Sequence, residues 1–266
     1  MTRIAVVGHV EWVQFLRVDH LPAPGEIETA RREATHSGGG AVVAGAVLAE
    51  NGAEVDFYGA VGNDALGDAA ADDIAAHGIT VHMARRSAPT REVITLLDRD
   101  GERTIMPIGE RLRPGGDDAL AWDRLAQADG VYVTAADRVA LSRARAARVL
   151  AVTPRLREEL GGAPILIDAL IYSASDEKEA RWAAALEPAA RFVVLTEGGA
   201  GGRWRGETEG RWSAVPPPGP VRDSYGCGDA FAAGVTYGLG SGVSIDEACA
   251  IGARWGAEML TRVGAP

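Results

Sequence analysis

Residues 223–234 read Asp-Ser-Tyr-Gly-Cys-Gly-Asp-Ala-Phe-Ala-Ala-Gly, a glycine turn that leads into a run typical of a helix. Such a turn directs backbone N–H groups outward, and a helix start adds partial positive charge, so together they suit an anion such as phosphate. Asp229 would repel that anion unless its carboxylate faces a second substrate and accepts a proton from it. An ordinary helix cap explains the same residues, because Asp and Gly are common there. The segment alone leaves both interpretations open.

Composition restricts the classes of protein to which the chain can belong. The 266 residues are 47% hydrophobic, which is ordinary for a globular protein, and the net charge of −10 argues against nucleic acid as a partner. Lys178 is the only lysine, and it lies in the acidic segment 176–179. That context matches neither a P-loop nor the strand lysine of protein kinases, so both classes are excluded.

Cysteine usage and the apolar segments indicate a compartment. Cys227 and Cys249 have no C-x-x-C spacing, and two cysteines in a chain of this length make no disulfide framework. The first residues enter a strand-like run directly, with no signal peptide and no stretch long enough to span a bilayer. We therefore expect a soluble cytoplasmic protein with no membrane partner.

Apolar strand-like runs alternate with helix-like segments along the chain. Strands are expected at 4–7, 55–61, 131–133, 149–152, 165–167 and 192–195, and helices at 41–51, 66–77 and 245–260. This alternation predicts an α/β fold with a doubly wound, mostly parallel sheet and helices on both faces. Mixed-charge extended pieces at 12–18 and 28–35, with a hairpin at 91–108 that turns at 98–101, indicate a half-exposed flap.

Two separated motifs in register with this pattern resemble the ribokinase-like carbohydrate kinases of the PfkB family. The first runs from Gly38-Gly39-Gly40 to residue 67, and the second is residues 223–229, close to the family's D-T-x-G-A-G-D with Ser224 and Cys227 as changes. The resemblance covers nearly the whole chain. It implies one ribokinase-like domain over residues 1–266, with a small β-sheet lid at about 12–35 and 91–108.

The resemblance also implies roles for the glycine turn. Asp229 is expected to be the catalytic base that takes the proton from a sugar hydroxyl, while Gly226, Cys227 and Gly228 offer N–H groups to the phosphoryl oxygens. The helix dipole should favour ionised Asp229 and make it a weak base. A weak base suffices, because positioning and electrostatics dominate phosphoryl transfer.

ATP and Mg²⁺ are the expected cofactors. The similarity places ATP on residues that resemble the family's T-x-G-x-x-G segment and on the start of the turn: Thr196, Gly198, Gly199, Gly202, Asp223 and Ser224. Asp176 and Glu179 stand where the family has the N-x-x-E motif that helps organise magnesium. A solvated acidic helix start explains this pair equally well. Arg103 and Arg111, on or beyond the hairpin, are placed to reach phosphates when the lid closes.

The acceptor site departs from the family pattern. Gly38 and Gly39 are expected to let the backbone approach the sugar, whereas Glu11 and Trp12 stand near the family's early Asp or Asn, and Val43 replaces its Asn. A site that has lost a hydroxyl partner should not favour the same sugar strongly, so neither ribose nor fructose is assigned. Packing of the helix against the sheet is the alternative reading of Val43.

These features predict an ATP-dependent kinase acting on a hydroxyl of a small sugar or sugar-like molecule. A nucleoside kinase with a base stacked on Trp12 is the alternative within the family, and a non-catalytic sugar or nucleotide sensor is the alternative outside catalysis. An NAD-dependent enzyme is disfavoured, because no G-x-G-x-x-G follows the first strand. A homodimer formed through the lid sheets is expected, since it would hide their open edges.

Overall fold

The computed structural model describes residues 1–99, 103–161 and 165–264. Thirteen strands occur in these residues: β1 (Arg3–Val7), β2 (Glu11–Arg17), β3 (Arg31–Gly38), β4 (Glu54–Gly62), β5 (Thr80–Arg86), β6 (Glu92–Leu97), β7 (Arg103–Ile108), β8 (Gly130–Val133), β9 (Leu150–Val152), β10 (Ile167–Ser173), β11 (Ala190–Thr196), β12 (Gly202–Arg205) and β13 (Glu209–Trp212). They are accompanied by seven α-helices: α1 (Gly40–Glu50), α2 (Ala65–Ala76), α3 (Arg138–Ala144), α4 (Arg157–Leu160), α5 (Glu177–Ala183), α6 (Cys227–Gly240) and α7 (Ile245–Met259). None of these helices is long and apolar enough to cross a membrane.

Nine strands form the large sheet, in the order β13-β12-β11-β10-β9-β8-β1-β4-β5. Within this order, the seven neighbouring strands β11-β10-β9-β8-β1-β4-β5 are parallel. The β12–β13 hairpin pairs antiparallel with β11 and forms one edge of the sheet. Side chains alternate between faces, so Ile4 and Val6 pack on the side of α1, α2, α6 and α7, while Ala5 and Val7 face α3, α4 and α5. The predicted doubly wound α/β fold is confirmed.

A separate four-stranded sheet has the order β3-β2-β6-β7. Its central pair, β2 and β6, is parallel, and the two outer pairs are antiparallel. Its buried inner face consists of Val13, Phe15, Val93 and Leu97, and Tyr225 of the glycine-turn segment packs against them. The small sheet therefore packs against the segment of residues 223–229.

Two predicted strands were placed wrongly. β3 begins at Arg31 and not at residue 28, because its pairing partner β2 ends at Arg17, which lies opposite Arg31. β10 runs well beyond the predicted end at residue 167, because Asp168 interrupts the apolar pattern without ending the strand. Its carboxylate accepts a hydrogen bond from Arg145 at 2.6 Å. The expected turn residues Asp100-Gly101 lie outside the described residues.

Candidate active site

A cleft of about 500 Å³ lies between the small sheet and the carboxyl ends of β1 and β8–β11. Parallel strands point their carboxyl ends toward one edge, which is where ligands bind in such folds. One part, the small-sheet end, is lined by His9, Glu11, Arg91 and Arg111, and the other, the β11 end, by Ser173, Asp176 and Thr196. Asp229 also lines the cleft, where it lies beside Tyr132 of β8. In the sheet order, β8 lies between β1 and β9.

The glycine turn begins helix α6 at the floor of this cleft. Gly226 is the N-cap with a φ of 75°, a left-handed conformation that favours glycine, and Cys227, Gly228 and Asp229 form the first turn. A Cβ added at Gly228 would meet nothing within 4 Å, so the backbone there faces open space. The first N–H groups of a helix have no intrahelical acceptor. The turn therefore offers donors to an anion in the cleft.

Asp229 is recessed in the cleft and keeps part of its surface open to it. Burial raises the pKa of this carboxyl to about 6, although the charge of Arg155 and the Tyr132 hydroxyl, which lies 3.4 Å from Oδ1, both favour the ionised form. Desolvation thus outweighs these two contributions, and the raised pKa differs from the weak base expected from the sequence. A carboxylate with a pKa near 6 is a better proton acceptor at neutral pH than an ordinary aspartate.

Gly40, the first residue of α1, lies directly against Asp229. A Cβ at this position would come within 2.3 Å of the Asp229 Oδ1 and 2.8 Å of its carboxyl carbon. The absence of a side chain at Gly40 therefore leaves the space that the Asp229 carboxylate occupies. The sequence pointed to the Gly-Gly pair before α1 but not to this contact.

Glu11 is held by two neighbours at the small-sheet end. It forms an ion pair with Arg91 at 3.2 Å and contacts His9 Nε2 at 3.4 Å. Burial lowers the pKa of His9, so this imidazole is neutral at pH 7. Burial alone would raise the pKa of Glu11, but the His9 contact and the charges of Arg91 and Arg111 hold it below its ordinary value. Glu11 is therefore ionised and already paired.

The other residues predicted to bind the acceptor are divided between the cleft and the core. Gly39 lines the cleft with a φ of 102°, and a Cβ there would lie 2.9 Å from the His9 carbonyl oxygen. Gly38 lies behind it, where a Cβ would meet Val13 at 2.5 Å. Val43 packs in the hydrophobic core beside the large sheet, Trp12 is partly buried against that core, and neither lines the cleft. Val43 therefore performs the packing role.

The β11 end contains part of the predicted nucleotide segment. Thr196, at the end of β11, lines the cleft, whereas Gly198, with a φ of 58°, and Gly199 form an exposed turn beyond it. Gly202 lies away from the cleft, beneath Trp212, where a Cβ would come within 2.2 Å of the ring. The structure brings Thr196 to the cleft and leaves a packing role for Gly202.

Asp223 and Ser224 are tied to the small sheet. The Asp223 side chain is 2% exposed, and it accepts hydrogen bonds from the backbone N–H groups of Tyr225 at 3.0 Å and Gly264 at 3.1 Å. Arg103 of β7 pairs with Asp223 at 3.3 Å and donates to the Ser224 hydroxyl at 2.8 Å. Their contact with ATP stays a prediction, since these bonds hold the turn against the small sheet. Arg103 is engaged in the same contact.

A family model described as pfkB family carbohydrate kinase matches residues 1–176 and 158–266 of the chain. The chain belongs to this family. Its architecture agrees with that assignment: ribokinase from Arabidopsis thaliana complexed with ribose and ATP superposes with a TM-score of 0.77 at 20% identity, over 100% of this chain and 95% of that one.

Two relatives with kinase or phosphotransferase names match parts of this pfkB-family chain. An ATP-dependent ribose-1-phosphate kinase from Halopiger xanaduensis is 32% identical over 138 residues, which are 50% of this chain and 46% of that protein. An acarbose 7(IV)-phosphotransferase from Actinoplanes sp. is 45% identical over 75 residues, 27% of this chain and 25% of that protein. The matches therefore span less than half of each relative's length.

Asp176 and Glu179, predicted for Mg²⁺ in this pfkB-family protein, lie close together at the start of α5. Asp176 lines the cleft and caps the helix through Oδ1, and Glu179 pairs with Arg155 at 2.8 Å. Over residues 1–99, 103–161 and 165–264, no three acidic, His or Cys side chains cluster as a metal site. Mg²⁺ takes only one or two carboxylates beside phosphates and waters. The residues present therefore fit an ion that arrives with a nucleotide.

Several cleft residues of this pfkB-family chain were missed from the sequence. Thr134 and Thr153 directly follow β8 and β9 and line the cleft; both are buried, and neither hydroxyl has a hydrogen-bond partner among the described residues. Such unpaired hydroxyls fit a polar ligand. Their position at the carboxyl ends of strands was the available signal. Arg155 and Tyr132 carried no comparable signal, because only the tertiary structure brings them to Asp229.

Proposed function

We propose that this protein is an ATP-dependent phosphotransferase that phosphorylates a hydroxyl group of a small sugar or sugar-like acceptor. One observation carries the proposal: the first turn of α6 contains both the donors of Gly226–Gly228 and a recessed Asp229 with a pKa raised to about 6. An anion site and a competent base thus share one helix start. The names of the two relatives support an ATP donor and a sugar-like acceptor.

In the proposed reaction, the acceptor hydroxyl oxygen forms a bond to the γ-phosphorus of ATP, and the bond from that phosphorus to the ADP oxygen breaks. Asp229 takes the proton that the hydroxyl loses. The N–H groups of residues 226–228 donate to the phosphoryl oxygens as charge develops on them. Asp176 would hold a Mg²⁺ ion that arrives with ATP, and the ion would supply positive charge to the phosphates. Tyr132, beside the Asp229 Oδ1, favours the ionised form of that carboxyl and so orients the base.

The test is ADP release with Mg²⁺ and ATP against sugars, sugar acids, sugar phosphates, polyols and nucleosides. We expect turnover with at least one sugar-type acceptor, and a rate lower by about 10²–10⁴-fold in Asp229→Asn. Arg143→Gln, an exposed change on α3 away from the cleft, is the matched surface control and should behave as wild type. Turnover of nucleosides alone would identify a nucleoside kinase, which is the alternative within the family. Trp12 does not support that alternative, because this side chain does not line the cleft.

The pH dependence of turnover follows from the environment of Asp229. Because the base must be ionised, and burial raises its pKa to about 6, we expect kcat/KM to fall on the acid side with an apparent pKa near 6. An ordinary aspartate would retain its charge down to about pH 4. Steady-state rates from pH 4.5 to 8 at constant ionic strength measure this limb, with stability checked at each pH. An acid limb centred near 4 would contradict the assigned environment.

We also propose that the small sheet acts as a lid and mediates a homodimer. β7 is an edge strand in which Ile105 and Pro107 line the cleft, while Met106 and Ile108, 42% and 50% exposed, lie at the alternate positions. An exposed apolar edge strand can pair with other chains and aggregate, and a second subunit that covers the edge prevents this.

The cytoplasmic location expected from the sequence stays a prediction.

Light scattering tests the dimer. We expect wild type at twice the 27.8 kDa chain mass, and Met106→Glu at the monomer mass, because a charge on the exposed face opposes burial of that edge. The Arg143→Gln control should stay dimeric. A monomeric wild type at working concentration would refute the dimer and leave the catalytic proposal untouched.

A further inference from the structure

The small-sheet end of the cleft carries an excess of positive charge. Arg91 and Arg111 both line it, Glu11 supplies one negative charge, and His9 is neutral, so these four groups sum to one positive charge. Arg155 does not change the balance, because it is paired with Glu179 at 2.8 Å. Two guanidinium groups thus line this end of the cleft, and its one carboxylate, Glu11, pairs with Arg91.

Arg111 is the unpaired member of this set. It has neither an ion pair nor a hydrogen bond in the part of the chain that the structure describes, whereas nearby arginines are paired: Arg86 with Asp118, Arg103 with Asp223 and Arg113 with Glu159. Arg111 is an exposed residue, yet its desolvation and the charge of Arg91 lower its pKa, whereas the charge of Glu11 raises it. The two guanidinium groups are therefore close enough to repel one another. The repulsion is relieved when an anion lies between them.

Arg91 is also only partly satisfied. Its side chain is 12% exposed and its Nε lies 3.2 Å from Glu11, yet among the described residues this buried Nε has no hydrogen-bond acceptor. Placing a guanidinium away from bulk water without acceptors is unfavourable. A neutral sugar would offer hydroxyl groups to a site whose carboxylate, Glu11, is already engaged. An acidic substituent would supply the missing acceptors.

We propose that the acceptor carries an anionic group, phosphate or carboxylate, which binds between Arg91 and Arg111 at the small-sheet end of the cleft. This inference rests on the proposed function and names the substrate class of that site. Bidentate contact of guanidinium groups with such an anion fixes the orientation of the molecule as well as adding affinity. The anionic group then lies at the small-sheet end while a hydroxyl of the same molecule faces Asp229.

The experiment compares acceptors that differ in an anionic group: ribose with ribose 1-phosphate and ribose 5-phosphate, and glucose with glucuronate. At constant ionic strength we expect kcat/KM of wild type to favour one anionic member by about 100-fold or more, and the phosphate and carboxylate arms identify which anion is bound. Arg111→Gln should reduce that preference by about 10- to 100-fold, chiefly through KM, because it removes a charged hydrogen-bond donor. Arg143→Gln should retain the preference.

A second measurement does not depend on turnover. Thermal unfolding without nucleotide should show stabilisation by the preferred anionic compound, which Arg111→Gln loses and Arg143→Gln keeps. Arg111→Gln also separates binding of the anion at Arg111 from binding of the anion at the glycine turn, because the glycine turn is unchanged in this variant. Equal or absent stabilisation by anionic and neutral compounds, or a preference that survives Arg111→Gln, overturns the inference. Arg111-dependent binding with no turnover of any acceptor would uphold the anion site and reject the phosphotransfer proposal.

Discussion

Asp229→Asn is expected to lower kcat by about 10²–10⁴-fold while leaving the fold intact. Asparagine has nearly the same shape but accepts no proton, so the acceptor hydroxyl loses its base. KM for the acceptor should change much less, because the groups at the small-sheet end remain in place. Steady-state ADP release with the best acceptor measures both values. Activity within about threefold of wild type would remove Asp229 from the mechanism.

Stability provides the control for this variant. Asp229 has a folded-state pKa raised above its unfolded value, so its contribution favours folding below about pH 4 and is lost as pH rises through about 6. Above that range the buried charge destabilises the protein by at most about 3 kcal/mol. Asp229→Asn should therefore unfold at a higher temperature than wild type at pH 8, and the difference should shrink toward pH 4. A lower unfolding temperature at pH 8 would indicate structural damage and not loss of a base.

Gly40→Ala is expected to lower kcat by about 10²-fold through displacement of the same carboxylate. The added methyl group would lie 2.3 Å from Asp229 Oδ1, which is far inside van der Waals contact, so the carboxylate must move. Misplacement of a catalytic group by about 1 Å has an effect of this size on rate. The measurement is kcat with the best acceptor, together with the pH profile, whose acid limb should shift because the environment of Asp229 changes.

Gly45→Ala is the matched control for that substitution. It lies in the same helix, and its new methyl group would meet Ile79 at 3.4 Å and Phe57 at 3.6 Å, which are ordinary contacts. Alanine is also the better helix former, so stability should hold or rise slightly. If Gly40→Ala and Gly45→Ala reduce kcat equally, the loss comes from the helix and not from the contact with Asp229.

Local sequence patterns were sufficient for the parallel sheet, the helices and the glycine turn. Short continuous apolar runs specify buried strands such as β1, and the order of residues in 226–229 specifies a helix start that carries a carboxylate. These features depend on neighbours within a few residues. Strand boundaries were less predictable, because the start of β3 depends on its pairing with β2 and because Asp168 interrupts the apolar pattern of β10.

The chemistry of the cleft was decided only by the tertiary structure. The pKa of Asp229 depends on burial and on Arg155 and Tyr132, which lie far from it in the chain, and the sequence therefore predicted a weak base. The pairing of Glu11 with Arg91, and the absence of a partner for Arg111 among the described residues, likewise depend on which carboxylates the fold brings within reach. The sequence by itself determined the fold and the motif, because both follow from local periodicity and turn chemistry. The tertiary structure determined charge and specificity, because desolvation and Coulomb interactions act between residues that are distant in the chain.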